Sequence, residues 1–208
     1  MKKGEDSGII ENVRQNGVRV ICFGGSNTFA YGLKTNYGTV LRDLLAKRSS
    51  VPVFVSMSGE TAGIAMEAHE QFVNNVISLD PSVVVFEFGQ HERDFHVPPD
   101  KLYNTLKDMI AEMRNENCSI VLLAPTLVND KRHRDASKPY ATSLQALAKE
   151  TGSVFLDPAV SLKSIPSTYF RSRKDSDHWS EKGHSAIGKL LADAIVKAGL
   201  LPMKKKNK

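Results

Sequence analysis

Two kinds of apolar segment alternate along this chain from near its start to near its end. Short runs rich in valine and isoleucine, such as residues 17–23 and 83–88, are typical of buried strands. Longer segments, such as residues 37–47, place apolar side chains at helical spacing. Because strands and helices alternate, the pattern predicts an α/β fold, a three-layer α/β/α sandwich around a central parallel sheet of about five strands.

The individual elements follow from the same pattern. The predicted strands are residues 17–23, 51–55, 83–88, 120–124 and 154–156. The predicted helices are residues 37–47, 65–79, 101–113, 137–150 and a last one that follows the capping residue Ser180 and ends near residue 198.

Length and composition indicate one domain. The chain has 208 residues, of which 41% are hydrophobic and 25% are charged, as in ordinary globular proteins. No repeat or linker divides it. We therefore expect an N-terminal extension at residues 1–16, a single domain at residues 17–201, and a basic, disordered tail at residues 202–208.

Charge and hydropathy argue against several classes of partner. The net charge is +5, but the basic residues cluster only in the tail and at residues 131–134, so we expect no nucleic-acid partner. No apolar run reaches the roughly 18 residues of a membrane helix, so no membrane span is expected. No apolar segment follows the basic N-terminus as in a signal peptide, which makes the cytoplasm the default expectation.

Cys22 and Cys118 are expected to be reduced thiols.

Three unusual turns are predicted to lie at one edge of the sheet. Ser26 follows the first strand, Ser58 and Gly59 follow the second, and Gly89 and His91 follow the third. In parallel α/β sheets, ligands bind at the carboxyl ends of the strands. We therefore expect a functional site at this edge.

The two ends of the chain contribute the parts of a nucleophilic site. Ser26 lies in the Gly-Gly-Ser-Asn-Thr motif that begins at Gly24, and His178 closes the Asp-Ser-Asp-His motif. Asp175 precedes His178 by three residues, so a tight turn can bring its carboxylate to the ring nitrogen that faces away from Ser26. Asp177 is the alternative orienting residue. Taken alone, Ser26 could be a turn residue, and His178 could be structural.

Four short blocks carry a family resemblance over nearly the whole domain. In chain order they are Gly24-Gly25-Ser26, Ser58-Gly59-Glu60-Thr61, Gly89-Gln90-His91-Glu92, and Asp175 to His178 with Gly183-His184 after it. They resemble the blocks of the SGNH, or GDSL-type, hydrolase superfamily. The resemblance implies a flavodoxin-like sheet and ester hydrolysis by Ser26, His178 and Asp175. It also implies that the backbone N–H groups of Ser26 and Gly59 form an oxyanion hole.

Two positions depart from the usual pattern of that superfamily. Gly25 stands where an aspartate usually precedes the nucleophile, and His91 stands where an asparagine donates to the oxyanion. A neutral imidazole can also donate one N–H, so His91 is predicted to be the third oxyanion donor. The alternative is that His91 packs against Glu92 or the neighbouring loop.

Two further groups of charged residues are predicted near this edge of the sheet. Glu92, Arg93, Asp94 and His96 continue the block around His91. They could bind substrate, but a charge run is usually a solvated surface, and they are interpreted as one. Residues 131–134 are predicted to form a basic loop after the fourth strand, where they could contact an anionic substrate or a polar sugar.

The sequence predicts a serine ester hydrolase that removes small, acetyl-like groups from a polar or carbohydrate substrate, because no long apolar insertion forms a lid for lipid chains. The alternatives are a lysophospholipase or thioesterase, an acyltransferase that uses the same triad, and a non-catalytic domain that binds acylated glycans. The chain lacks short metal-ligand spacings, a phosphate loop and a dinucleotide fingerprint, so no metal and no cofactor is expected. The oligomeric state stays open.

Overall fold

The computed structural model describes residues 17–60, 63–113, 118–172, 174–175 and 177–204. The strands of this part of the chain are β1 (Val18–Gly24), β2 (Val53–Gly59), β3 (Val83–Glu87), β4 (Ser119–Leu123) and β5 (Val154–Leu156). They form one parallel sheet in the order β2-β1-β3-β4-β5. This is the flavodoxin-like order, and it confirms the predicted parallel sheet.

Helices cover both faces of the sheet. They are α1 (Ser26–Phe29), α2 (Tyr37–Arg48), α3 (His69–Asn75), α4 (Gln90–Asp94), α5 (Pro99–Glu112), α6 (Lys131–Thr151), α7 (Pro158–Ser161) and α8 (Glu181–Lys197). Helices α2 and α8 contribute to one core cluster, and α3, α5 and α6 contribute to the other. The predicted three-layer sandwich is therefore confirmed.

The residues of β1 show how the sheet separates the two cores. Val20 and Cys22 belong to the cluster under α2 and α8, whereas Ile21 and Phe23 belong to the opposite cluster. This alternation follows from the two-residue period of a strand. All five residues of β3 are buried, as its continuous apolar run predicted.

Some element boundaries differ from the sequence prediction. Strand β2 continues to Gly59, so Ser58 and Gly59 lie in the strand rather than in a loop. The predicted helix at 65–79 is broken into a 3₁₀ turn at Ala65–Glu67, helix α3, and a second 3₁₀ turn at Ile77–Leu79.

Helix α6 begins six residues earlier than predicted. The side chain of Asp130 accepts a hydrogen bond from the backbone N–H of His133 and caps the helix. Residues 131–134, predicted to be a basic loop, therefore form the first turn of α6. They contain no apolar residue, so they gave no periodic signal.

The C-terminal segment packs against the domain beyond residue 201, where the domain was predicted to end. Leu201 is buried, Met203 forms an antiparallel bridge with Ser49, and the N–H of Lys204 donates to the carbonyl of Arg48. Residues 202–204 are thus attached to the α2–β2 connection rather than belonging to a disordered tail. The predicted extension at 1–16 and residues 205–208 lie outside the described residues.

In the described part of the chain, no helix combines the length and the apolar character that crossing a membrane requires.

Candidate active site

Ser26, His178 and Asp175 form a continuous chain of hydrogen-bonding groups at the carboxyl end of the sheet. Ser26 Oγ lies 3.0 Å from His178 Nε2, and His178 Nδ1 lies 2.8 Å from Asp175 Oδ1. The same carboxylate oxygen accepts from the backbone N–H of His178 at 3.1 Å. The carboxylate therefore holds the proton on Nδ1, which leaves Nε2 to accept the serine proton.

The turn between β1 and α1 presents the hydroxyl of Ser26. The N–H of Gly25 donates to the carbonyl of Glu87 on the neighbouring strand, and the carbonyl of Gly25 accepts from Thr28 and Phe29 in α1. Ser26 is the first residue of α1, where a helix leaves its N–H groups without intrahelical acceptors. A methyl group on Gly24 would lie 2.4 Å from the Glu87 carbonyl oxygen, so this close approach requires glycine.

Asn27 connects the two halves of the site, a role that the sequence analysis did not assign. Its side chain is buried, and its Oδ1 accepts from the N–H of Trp179 at 2.9 Å. Its Nδ2 donates to the carbonyl of Asp177 at 3.2 Å and to Gln90 Oε1 at 2.7 Å. Asn27 therefore binds the residues on both sides of His178. The only sequence signal was an amide side chain directly after Ser26.

Asp177 points away from His178. Its carboxylate lies 3.0 Å from Arg93 Nη2 and 3.2 Å from His133 Nδ1. The Arg93 side chain is only 4% exposed and also donates to Ser137 Oγ in α6. Asp177 thus connects the segment before His178 to α4 and α6, whereas Asp175 contacts the imidazole of His178.

The interpretation of the residues after His91 as a solvated charge run is wrong for Glu92 and Arg93. Both are buried. The Glu92 carboxylate accepts from the backbone N–H groups of Ala65 and Gly89, each at 2.7 Å. Burial raises the pKa of Glu92. These bonds join the start of α4 to the segment after β2, and they explain how a charged residue can be buried there.

His91 donates to the backbone rather than standing free. Its Nδ1 lies 3.0 Å from the carbonyl oxygen of Gly63. A carbonyl only accepts, so Nδ1 carries a proton, and the Nε2 of a neutral His91 is an acceptor. The predicted donation from a neutral imidazole to the oxyanion is therefore directed to Gly63, and only a doubly protonated His91 could donate from Nε2.

A small hollow lies beside Ser26. Ser26, Gly25, Gly63 and His91 are among the residues that line it. Gly59 packs against the backbone of α1, where a methyl group on it would lie 2.2 Å from the backbone nitrogen of Phe29. The predicted block at 58–61 is described as far as residue 60, and Thr61 lies outside the described residues.

A buried polar cluster joins Thr28 of α1 to Glu87 and Tyr37. Thr28 Oγ1 donates to Glu87 Oε2 at 3.0 Å and lies 2.7 Å from the hydroxyl oxygen of Tyr37. Burial raises the pKa of Glu87 to about 8. The backbone N–H of Tyr37 in turn donates to Nδ1 of His184, and burial lowers the pKa of that imidazole to about 3. His184 therefore packs locally as a neutral ring.

Within the described residues, no group of three or more histidine, cysteine or carboxylate side chains is placed to hold a metal ion.

Comparison with protein families identifies the chain. Residues 22–186 match the model of the GDSL-like lipase/acylhydrolase family. The chain belongs to this family. As a GDSL-like acylhydrolase it is a carboxylic ester hydrolase, as the sequence predicted. A search of curated proteins found no match.

Solved structures share the fold of this GDSL-like acylhydrolase. A protein of the G-D-S-L lipolytic family from Desulfitobacterium hafniense is 18% identical, with a TM-score of 0.72 over 85% of this chain and 99% of the other. An acetylxylan esterase from Geobacillus stearothermophilus is 19% identical, with a TM-score of 0.69 over 86% of this chain and 93% of the other. Further structures of that esterase are catalytic mutants in which a serine, an aspartate or a histidine is replaced by alanine.

Proposed function

We propose that this acylhydrolase removes small acyl groups, such as acetyl, from a polar or carbohydrate substrate through an acyl-enzyme on Ser26. The observation that carries the proposal is the hydrogen-bonded chain from Ser26 Oγ to His178 Nε2 at 3.0 Å and from His178 Nδ1 to Asp175 at 2.8 Å. This is the arrangement in which a base activates a hydroxyl and a carboxylate orients the base.

The reaction follows from these roles. His178 Nε2 takes the proton of Ser26 as Oγ attacks the acyl carbonyl, and the imidazolium is stabilised by Asp175. His178 then delivers the proton to the leaving alcohol, and the acyl group stays on Ser26. A water molecule gives its proton to His178 and attacks the acyl-enzyme, which releases the acid and restores the Ser26 hydroxyl.

The backbone N–H groups of Ser26 and Gly59 are the proposed oxyanion donors. The position of Ser26 at the start of α1 supports its part, because N–H groups in a first helical turn are available to an anion. Loss of one oxyanion donor typically costs about a hundred- to a thousand-fold in rate. His91 joins this set only in its doubly protonated form, since its neutral form donates to Gly63.

The mutants of the Geobacillus esterase support the proposed triad. In that protein the mutated aspartate precedes the mutated histidine by three residues. Asp175 precedes His178 by the same spacing, and the serine in each chain lies near the N-terminus.

The surroundings of Ser26 support a small acyl group. The hollow beside it is small and has Gly25, Gly63 and His91 among its lining residues. A long acyl chain would extend past this hollow. The name of the Geobacillus esterase, an acetylxylan esterase, is consistent with an acetylated carbohydrate.

Exposed apolar side chains favour a second candidate, an esterase or thioesterase for longer acyl chains. Tyr31 and Phe95 are 73% and 60% exposed, and both follow short helices at the carboxyl edge of the sheet. A lipid-like chain could lie along them.

Hydrolysis of a series of p-nitrophenyl esters, from acetate to palmitate, separates the two candidates. Acetylated xylooligosaccharides are tested beside them as the glycan substrate. We expect kcat/KM to be highest for acetate and release of acetate from the glycan. A kcat/KM that rises with chain length would favour the second candidate and contradict the first.

A further inference from the structure

The hydrogen bond from His91 to Gly63 fixes which side of the imidazole can meet a substrate. Nδ1 faces the Gly63 carbonyl oxygen at 3.0 Å, so Nε2 lies on the opposite side of the ring. In the neutral ring Nε2 has a lone pair and no proton. It attracts hydroxyl or N–H donors and would repel a developing oxyanion.

The ring is placed beside the nucleophile. A methyl group built on Gly25 would lie 3.5 Å from both Nδ1 and Cε1 of His91, so the ring edge covers the residue before Ser26. His91 and Ser26 line the same hollow. The Phe95 ring, whose centroid lies 6.1 Å from that of His91, adds an exposed apolar surface next to it.

We propose that His91 is a specificity residue whose Nε2 accepts a hydrogen bond from a substrate hydroxyl close to the scissile ester. This inference rests on the proposed function and narrows its substrate class. The preferred substrates are then partly acylated polyols or sugars that keep a free hydroxyl beside the ester, with an apolar ring face available to Phe95. Esters whose neighbouring hydroxyl is acylated or alkylated lack the donor.

Two small esters test this directly. 2-Hydroxyethyl acetate carries a hydroxyl next to the ester, and 2-methoxyethyl acetate keeps the oxygen but cannot donate. One neutral hydrogen bond contributes about 0.5–1.5 kcal/mol, so we expect kcat/KM to be about two- to tenfold higher for the hydroxyl compound. A wild-type ratio near one overturns the proposal.

Two amide variants distinguish recognition of the substrate hydroxyl by Nε2 from the hydrogen bond that Nδ1 makes to Gly63. In His91→Asn, the side-chain amide N–H can occupy the position of Nδ1 and still donate to Gly63, but no acceptor replaces Nε2. In His91→Gln, the amide oxygen can reach the position of Nε2, and the bond to Gly63 is lost. We expect His91→Asn to bring the ratio of kcat/KM values to one and His91→Gln to retain it.

The controls make each outcome decisive. His69→Ala removes an exposed histidine on α3 that pairs with Glu112, and it should leave the ratio and the activity at wild-type values. If every His91 variant lowers kcat/KM for both esters by the same factor, His91 acts on the oxyanion or only supports the fold, and the proposal is wrong. If wild type hydrolyses neither ester faster than Ser26→Ala, the proposed function itself fails, which appears as a lost rate rather than an altered ratio.

Discussion

The Oδ1 of Asn27 accepts a hydrogen bond from the backbone N–H of Trp179 at 2.9 Å. Asn27 follows Ser26 and Trp179 follows His178, so this one bond fixes the distance between two segments that are 152 residues apart. The Nδ2 of Asn27 adds a bond to the carbonyl of Asp177, on the other side of His178. The spacing of Ser26 and His178, the proposed nucleophile and base, is thus supported by their sequence neighbours as well as by their own contact.

We expect Asn27→Ala to lower kcat/KM about ten- to a hundredfold, because His178 loses the contacts that hold its flanking residues. The backbone N–H of Trp179 and the side-chain oxygen of Gln90 would also lose their partner, at a cost of about 1–3 kcal/mol in the free energy of unfolding. Steady-state kinetics and urea unfolding measure the two effects separately. Asn104→Ala, on the exposed side of α5, is the matched control and should match wild type in both. An Asn27→Ala enzyme that is less stable but fully active would show that Asn27 does not position His178.

The two aspartates near His178 should differ sharply on mutation. Asp175→Asn leaves a side chain of the same shape but no longer stabilises the imidazolium, so we expect kcat to fall about a thousandfold or more. Asp177→Asn weakens the contacts to Arg93 and His133, which should reduce stability and lower kcat less than tenfold. Rates of ester hydrolysis for the two variants decide between the roles. A larger loss in Asp177→Asn would reverse the assignment.

Glu87 should make the free energy of unfolding depend on pH. Burial raises its pKa from 4.5 to about 8, so between these values the folded protein keeps a proton that the unfolded chain has lost. Stability associated with Glu87 is therefore complete below pH 4.5, decreases as pH rises to about 8, and is constant above it.

The variant Glu87→Gln isolates this effect, because its amide oxygen can still accept from Thr28. We expect the wild type to lose stability relative to Glu87→Gln by on the order of 4 kcal/mol between pH 5 and pH 8. Chemical denaturation of both proteins at the two pH values measures the difference. An equal change in both proteins would mean that Glu87 is ionised in the folded state throughout.

Two glycines near Ser26 should respond differently to a methyl group. In Gly59→Ala the added atom would lie 2.2 Å from the backbone nitrogen of Phe29, so α1 must move and both stability and activity should fall. In Gly25→Ala it would make ordinary contacts of 3.5 Å with His91, so a smaller loss is expected. Melting temperatures and kcat/KM of the two variants provide the comparison. Equal losses would show that the packing of Gly59 on α1 does not position the nucleophile.

Much of the fold follows from local sequence. Residues 154–156 and the cap at Ser180 are placed as the pattern indicated, because buried strands and capped helices carry short-range signals. Helices α1 and α4 are four and five residues long, too short to show a helical period, so the sequence did not predict them.

The site was less predictable where its properties depend on distant partners. The rule that ligands bind at the carboxyl ends of parallel strands was enough to place Ser26 and His91 at one edge of the sheet, and the family resemblance paired Ser26 with His178. The burial of Glu92 depends on backbone N–H groups that include that of Ala65, 27 residues away. The tautomer of His91 depends in the same way on the carbonyl of Gly63, and a sequence pattern contains neither contact.

The most direct test of the proposed mechanism is the rate of p-nitrophenyl acetate hydrolysis by wild type and by Ser26→Ala at equal concentration. We expect turnover by wild type and a rate at the uncatalysed background for Ser26→Ala, because alanine has no hydroxyl to attack the ester. Hydrolysis by Ser26→Ala at the wild-type rate would contradict it.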